Sequence, residues 1–357
     1  MRRIAAVCLA LASLGAAPTA GAETQPVLPA ESPPAEAQPV EAQPSWAQAQ
    51  IDAVVAAGLM APTAGEFRPD EPLTRAELAP VISALTGQEV VLPAPERLVT
   101  LRELDARLVR MLGLGPAATQ IRRQVAAAGL GPPGRLGTET VARLIGLRTN
   151  HPYDQDYLEL LPNDPVTRAE TAFSVARILG LQLAGADFTW VNDLAASFAL
   201  PEMTDWQRQV LTRAVRFVGF PYVWGGMSET EETPFEVTAR GGFDCSGFVW
   251  RVFKTEPFAD APLLGEALEG RSTYQMSEEM TPEARIPVEA LLPGDVIFFG
   301  TKGPQSKPGQ IIHAGIYLGS GWFVHASRYG TTMHPLAGWY ATSFAWGRRL
   351  LVEAGLS

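Results

Sequence analysis

One short string, Phe243-Asp244-Cys245-Ser246-Gly247-Phe248-Val249, and a later block running from His313-Ala314-Gly315 through Gly319-Ser320-Gly321 to His325-Ala326 constrain this chain more than any bulk property. The first reads as a turn entering a buried helix from Ser246 onward. The second alternates apolar and polar positions on both sides of Gly-Ser-Gly, as a β-hairpin does. A thiol attacks as thiolate, and an ordinary cysteine, with a pKa of about 8.5, needs a nearby base or positive dipole to ionise. A helix N-terminus offers free amides and the positive end of the dipole, and the same amides suit an oxyanion. One thiol and two imidazoles are the inventory of a nucleophile, its base and an orienting partner.

Register decides whether the histidines can cooperate. If Gly319-Ser320-Gly321 is a three-residue turn, Gly315 faces His325, and His313 lies on the same face one diagonal step away. A two-residue turn would slip the pairing by one and send the rings to opposite faces. The nucleophile reading therefore requires an odd number of loop residues, and Gly315 leaves room for the rings to lean together. Each residue also has a plainer reading: Cys245 as a buried structural cysteine, His313 as a hydrogen-bonded strand residue. Two histidines and a cysteine also suit zinc, but no fourth protein ligand for a closed site is visible. No metal or cofactor is expected. His151 and His334 lack such a context and read as surface residues.

The chain opens with Met1-Arg2-Arg3, an apolar run from Ile4 to Ala17, and Ala20-Gly21-Ala22 before Glu23, the pattern of a secretory signal peptide over residues 1–22. Its removal takes Cys8 with it and leaves Cys245 as the one thiol, so no intramolecular disulfide is expected. It also leaves 26 basic against 38 acidic residues, a balance unsuited to nucleic acid. Residues 23–45 are rich in Pro, Ala, Glu and Gln and have little to bury, which predicts an extended linker.

The next stretch repeats a local device. Thr74-Arg75-Ala76-Glu77 precedes Leu78, Val81, Ile82 and Leu85, a capping box followed by one apolar helical face. Thr167-Arg168-Ala169-Glu170 does the same ahead of Phe173, Val175, Ile178 and Leu179. Thr100-Leu101-Arg102-Glu103, before Leu104, Leu108 and Leu112, is a looser copy. Three cap-and-helix units predict an internal repeat over residues 46–183. Residues 184–203 read as a connector. From Thr204 a helix is expected through Val218, with Gly219 as its stop. Leu292-Pro293-Gly294-Asp295 predicts a type II turn into a buried strand.

Two resemblances rest on these residues. Phe67-Arg68-Pro69-Asp70-Glu71-Pro72-Leu73-Thr74-Arg75-Ala76-Glu77 resembles the S-layer homology repeat, which implies an all-α module that binds cell-wall polysaccharide through residues 46–183. Pro221-Tyr222-Val223-Trp224-Gly225-Gly226, Asp244-Cys245-Ser246-Gly247, Arg271-Ser272-Thr273-Tyr274, Leu292-Pro293-Gly294-Asp295 and the His313–Ala326 block resemble the NlpC-type family of papain-like cell-wall cysteine peptidases, over residues 204–357. That resemblance implies an α+β fold with a helix-borne cysteine against an antiparallel sheet. It implies a secreted hydrolase of peptidoglycan stem peptides, acting between D-glutamate and a diamino acid at the cell wall or in the periplasm. Carried over by position, Cys245 is the nucleophile, His313 the base and His325 the orienting residue. Tyr222 stands near the oxyanion, and Asp244, Ser246 and Arg271 line the substrate cleft. The chain departs from the family in a long acidic insertion between Gly226 and Phe243, and in Met276 where the family often has Gln. A non-catalytic wall-anchoring protein, or an amidase or acyltransferase using the same thiol, are the alternatives.

Overall fold

The computed structural model describes residues 44–356; the expected signal peptide and most of the linker lie outside the described residues. Residues 44–357 form one compact unit. The first half is helical: α1 (Gln48–Ala56), α2 (Arg75–Thr86), α3 (Leu101–Met111), α4 (Gly115–Ala127), α5 (Leu136–Leu144) and α6 (Arg168–Leu183). None of the described helices is long and apolar enough to cross a membrane.

The repeat is real at the backbone level. Leu73, Val99 and Val166, each one residue before a helix-capping threonine, bond to one another in a closed ring. Leu73 N–H donates to Val166 O (2.9 Å), Val99 N–H to Leu73 O (2.9 Å) and Val166 N–H to Val99 O (2.8 Å). Their side chains are buried at the centre. A second ring lies outside it: Arg75 N–H to Arg97 O, Leu101 N–H to Asp164 O and Arg168 N–H to Glu71 O. Each donor and acceptor sits at the same offset from its threonine, so the three units are related by a pseudo-threefold axis.

Side chains follow the same rotation until the sequence breaks it. Arg168 reaches Glu77 (2.8 Å) and Arg75 reaches Glu103 (2.8 Å). The third arginine position is Leu101, so Glu170 takes Arg148 at 3.2 Å and the His151 ring at 3.2 Å instead. Thr74 and Glu77 make the expected capping box. Thr167 accepts from Glu170 N–H, but the Glu170 carboxylate is committed elsewhere. Thr100 makes no side-chain cap.

Within the span expected to be a connector, Thr189–Ser197 form α7, with Val191 and Ala195 buried. α8 (Asp205–Arg216) starts at a Thr204–Gln207 capping box. The second half then has the expected α+β character. A short pair, β1 (Met227–Ser228) and β2 (Gly242–Phe243), brackets the acidic insertion. α9 (Cys245–Trp250) follows, then α10 (Pro262–Glu266) and α11 (Thr273–Glu278). The main sheet comprises β3 (Val296–Gly300), β4 (Ile311–Gly319), β5 (Trp322–Ser327), β6 (Gly330–Pro335) and β7 (Phe344–Arg348), all antiparallel in the order β6-β5-β4-β3-β7. α12 (Trp339–Ser343) bridges β6 to β7. Apolar side chains of the helical half (Leu104, Val141) and of the second half (Phe217, Val218, Phe243) belong to one continuous core.

Candidate active site

Asp244 caps α9, its carboxylate accepting from Gly247 N–H and from the Ser246 hydroxyl (2.9 Å), which makes Cys245 the first residue of the helix. Only glycine fits at 247: a Cβ there would lie 1.9 Å from Gly226 O. The helix start is thereby pressed onto the Tyr222–Gly226 segment. Arg271 binds across the junction, to Ser246 Oγ (2.7 Å), Asp244 Oδ1 (3.2 Å) and Gly225 O (2.9 Å). Asp244, Ser246 and Arg271 thus form one network around the base of the cysteine helix.

β4 and β5 bring the histidines together by a route the sequence did not suggest. The turn is Ser320-Gly321, two residues with φ of 50° and 76°, as a type I′ hairpin needs. Gly319 pairs with Trp322, but Ile316 pairs with Val324 and Tyr317 with Phe323, so the register shifts between Tyr317 and Gly319. The bulge supplies the extra unpaired residue and restores the parity that a three-residue turn would have given. Gly315 ends beside His325, where a Cβ would sit 3.1 Å from His325 Cβ and 2.8 Å from Phe323 Cδ2. His313 Nε2 and His325 Nδ1 are 2.7 Å apart.

Cys245 packs against the same strand, with the backbone N–H groups of Ala314 and Ser246 directed at its sulfur. Burial pushes the thiol up to about 12, with the Asp244 carboxylate adding to it and the amides opposing. Burial also holds His313 down to about 4, and His325 well below the ordinary imidazole range, with His313 and His334 adding to the effect on His325. Desolvation thus disfavours the charged form of the thiol and of both rings.

A cleft of about 950 Å³ opens beside His313, lined among others by Tyr222, Trp224, Trp339 and Tyr340 and, from the helical half, by Tyr153 and Asp156. The Tyr222 phenol is raised from its usual value, by burial first and then by the nearby Cys245, Asp244 and Asp156 charges. The acidic insertion is tied down by Arg251, which donates twice to Glu229 at 2.6 Å.

Two expectations are corrected. His151 is buried, not superficial: Nδ1 lies 3.1 Å from Glu159, and Trp46 packs edge-on at 4.4 Å. Burial disfavours its charge, but the Glu159 and Glu170 carboxylates overcome that and raise it to about 10. His334 is half-buried, its ring 5.9 Å from that of His325. Tyr340, 5.1 Å from His325, and the 150–156 wall of the cleft were not foreseen. Nothing in local pattern links residues so distant along the chain.

The site thus places a helix-borne thiol against a sheet that carries a histidine pair. Residues 219–349 match the NlpC/P60 family, and residues 41–79 match the S-layer homology domain, so the chain carries an NlpC/P60 domain preceded by S-layer homology. Among characterised proteins, it is 34% identical over 119 residues to the Gamma-DL-glutamyl hydrolase of Bacillus subtilis, 33% of this chain and 23% of that one. It is 29% identical over 121 residues to the Gamma-D-glutamyl-L-lysine dipeptidyl-peptidase of the same organism, 34% of this chain and 32% of that one. The chain thus spans a third or less of the length of these relatives. A solved NlpC/P60 family protein from Bacillus cereus is similar over 43% of this chain and 42% of that one, at 24% identity and a TM-score of 0.30.

Proposed function

We propose that this protein is a secreted cell-wall hydrolase that cleaves peptidoglycan stem peptides through Cys245, His313 and His325. The observation that carries the reading is the 2.7 Å contact between the His325 ring on β5 and the His313 ring on β4, the strand whose Ala314 amide faces the Cys245 sulfur. For His313 to act as base, its Nε2–H donates to His325 Nδ1, which leaves Nδ1 of His313 unprotonated to receive the thiol proton. The sulfur attacks the peptide carbonyl carbon, and the carbonyl oxygen becomes an oxyanion near the α9 amides and the Tyr222 hydroxyl. Protonated His313 then gives its proton to the departing amine as the C–N bond breaks. Water, deprotonated by the same ring, cleaves the thioester and frees the acid and the thiol.

The bond between D-glutamate and a diamino acid is the target supported by a relative named for γ-D-glutamyl-L-lysine cleavage. Asp244, Ser246 and Arg271, already joined in one network, would hold the donor side of the peptide. The helical half, residues 46–183, would keep the enzyme at wall polymer, raising local substrate concentration without changing the chemistry. The test is digestion of purified muropeptides followed by mass spectrometry. Wild type should release products cut after D-glutamate, and Cys245→Ala should release none. Identical products from both would remove Cys245 from the mechanism.

A further inference from the structure

The helical half does more than lie next to the catalytic half. Its Tyr153–Leu158 turn carries Asp156, 1% exposed, whose Oδ2 accepts the Trp224 N–H at 2.8 Å across 68 residues of sequence. The other oxygen of that carboxylate is buried without a partner. Burial, above all, raises the group to about 6. Three more bonds fasten the catalytic half to the helical one close by: Arg135 to Val218 O (2.8 Å), Arg143 to Gly219 O (3.0 Å) and Asn150 N–H to Arg328 O (2.8 Å). The segment 218–224 is therefore gripped at both ends by the repeat module. Tyr222 lies between the grips, and its phenol senses Cys245, Asp244 and Asp156 together.

We propose that Asp156 is a positioning residue for the reaction: by holding the Trp224 amide it fixes the segment that presents Tyr222 to the thiol, so the wall-binding-type module is a built part of the active site. A partly unsatisfied buried carboxylate is costly. The arrangement makes sense where it purchases placement of a group at the reacting carbonyl, since a displacement of about 1 Å there can cost on the order of a hundredfold in rate. The proposal rests on the hydrolase reading above, with Tyr222 at the oxyanion.

The experiment uses the full chain and four variants: Asp156→Ala, Asp156→Asn, Tyr222→Ala and the Asp156→Ala/Tyr222→Ala pair. Asparagine keeps an oxygen for the Trp224 amide; alanine does not. Asp156→Ala should lower kcat on muropeptides roughly 10- to 100-fold with KM within about threefold. Asp156→Asn should recover to within about threefold of wild type. In the Tyr222→Ala background, Asp156→Ala should cost less than about threefold, because residues acting through one another are not additive. Amide exchange at Trp224 should speed up in the alanine variant and not in the asparagine one. If the alanine variant does not fold, Asp156→Glu, which displaces the carboxylate by one methylene, takes its place with the same expectations. A kcat within twofold of wild type for Asp156→Ala, an asparagine variant as impaired as the alanine one, or additive costs with Tyr222→Ala would each overturn the proposal. A wild type that cleaves no muropeptide would instead sink the hydrolase reading, while the exchange rates would still decide whether Asp156 holds the 218–224 segment.

Discussion

Two histidine environments in this molecule shift their rings in opposite directions. In the helical half, His151 sits between Glu159 (3.1 Å) and Glu170 (3.2 Å), and the two carboxylates hold a proton on the ring despite burial. In the second half, half-buried His313 and buried His325 have each other and aromatic rings, with no carboxylate in hydrogen-bond contact among the described residues, and desolvation lowers both. The difference lies in what the neighbours can offer a proton. A ring held between two carboxylates is favoured as a cation, whereas a ring whose neighbours are another imidazole and aromatic side chains is favoured neutral.

The largest effect that could break this contrast concerns the sheet pair. His313→Ala should lower kcat/KM on muropeptides by about 10²–10⁴-fold, the range for loss of a general base. His325→Asn retains an oxygen to accept from His313 Nε2–H and should cost less, on the order of tenfold. Thermal unfolding of both variants should stay close to wild type, so that rate and stability separate. Equal losses from the two substitutions would mean that His325 does more than orient the ring.

pH sharpens the comparison next, through opposite signs. His151 has a folded value of about 10, above the ordinary 6.5, so its stabilisation is fully present below pH 6.5 and is lost as pH rises through 10. His313 has a folded value of about 4, below 6.5; the unfolded chain takes up the proton first, so stability falls as pH drops from 6.5 toward 4. Urea unfolding of wild type, His151→Gln and His313→Gln across pH 4–10 isolates each contribution by difference. Groups shared by all three, such as Glu139, which burial raises to about 7, cancel. The His151 difference should shrink above pH 7, by an amount on the order of a few kcal/mol over the range. The stability of wild type relative to His313→Gln should instead fall, and only below pH 6.5, as pH drops toward 4. The same slope in both would erase the distinction.

Much of the catalytic half was legible because its signals are local. Asp244 before Cys245 is an N-cap, Pro293-Gly294 a turn with φ of 89° at the glycine, and Gly315 an empty place beside His325. The hairpin parity was legible too, although a bulge rather than a longer turn delivers it. What stayed hidden depends on contacts between distant segments. Nothing near His151 in sequence reveals that Leu101 leaves Glu170 without the arginine its counterparts enjoy, and nothing near Asp156 points to Trp224. The threonine caps announced three repeats; the ring of backbone bonds that closes them joins residues 73, 99 and 166, and appears only when the units meet.

The smallest expected effect lies within that ring and compares the repeats with one another. Thr74 accepts from Glu77 N–H at 3.3 Å while Glu77 Oε2 accepts from Thr74 N–H at 2.9 Å, a complete box. Thr100 holds the same place in its repeat without a side-chain cap, and there Glu103 pairs with Arg75 and Arg107. Thr74→Ala should therefore cost about 1 kcal/mol, and Thr100→Ala less than about half of that. Both changes leave the backbone ring intact, since its donors and acceptors belong to residues 73, 99 and 166. Urea midpoints at constant m-value would measure the pair. Equal costs would mean that the side-chain cap contributes little, and that the three units are more alike in energy than their hydrogen bonds suggest.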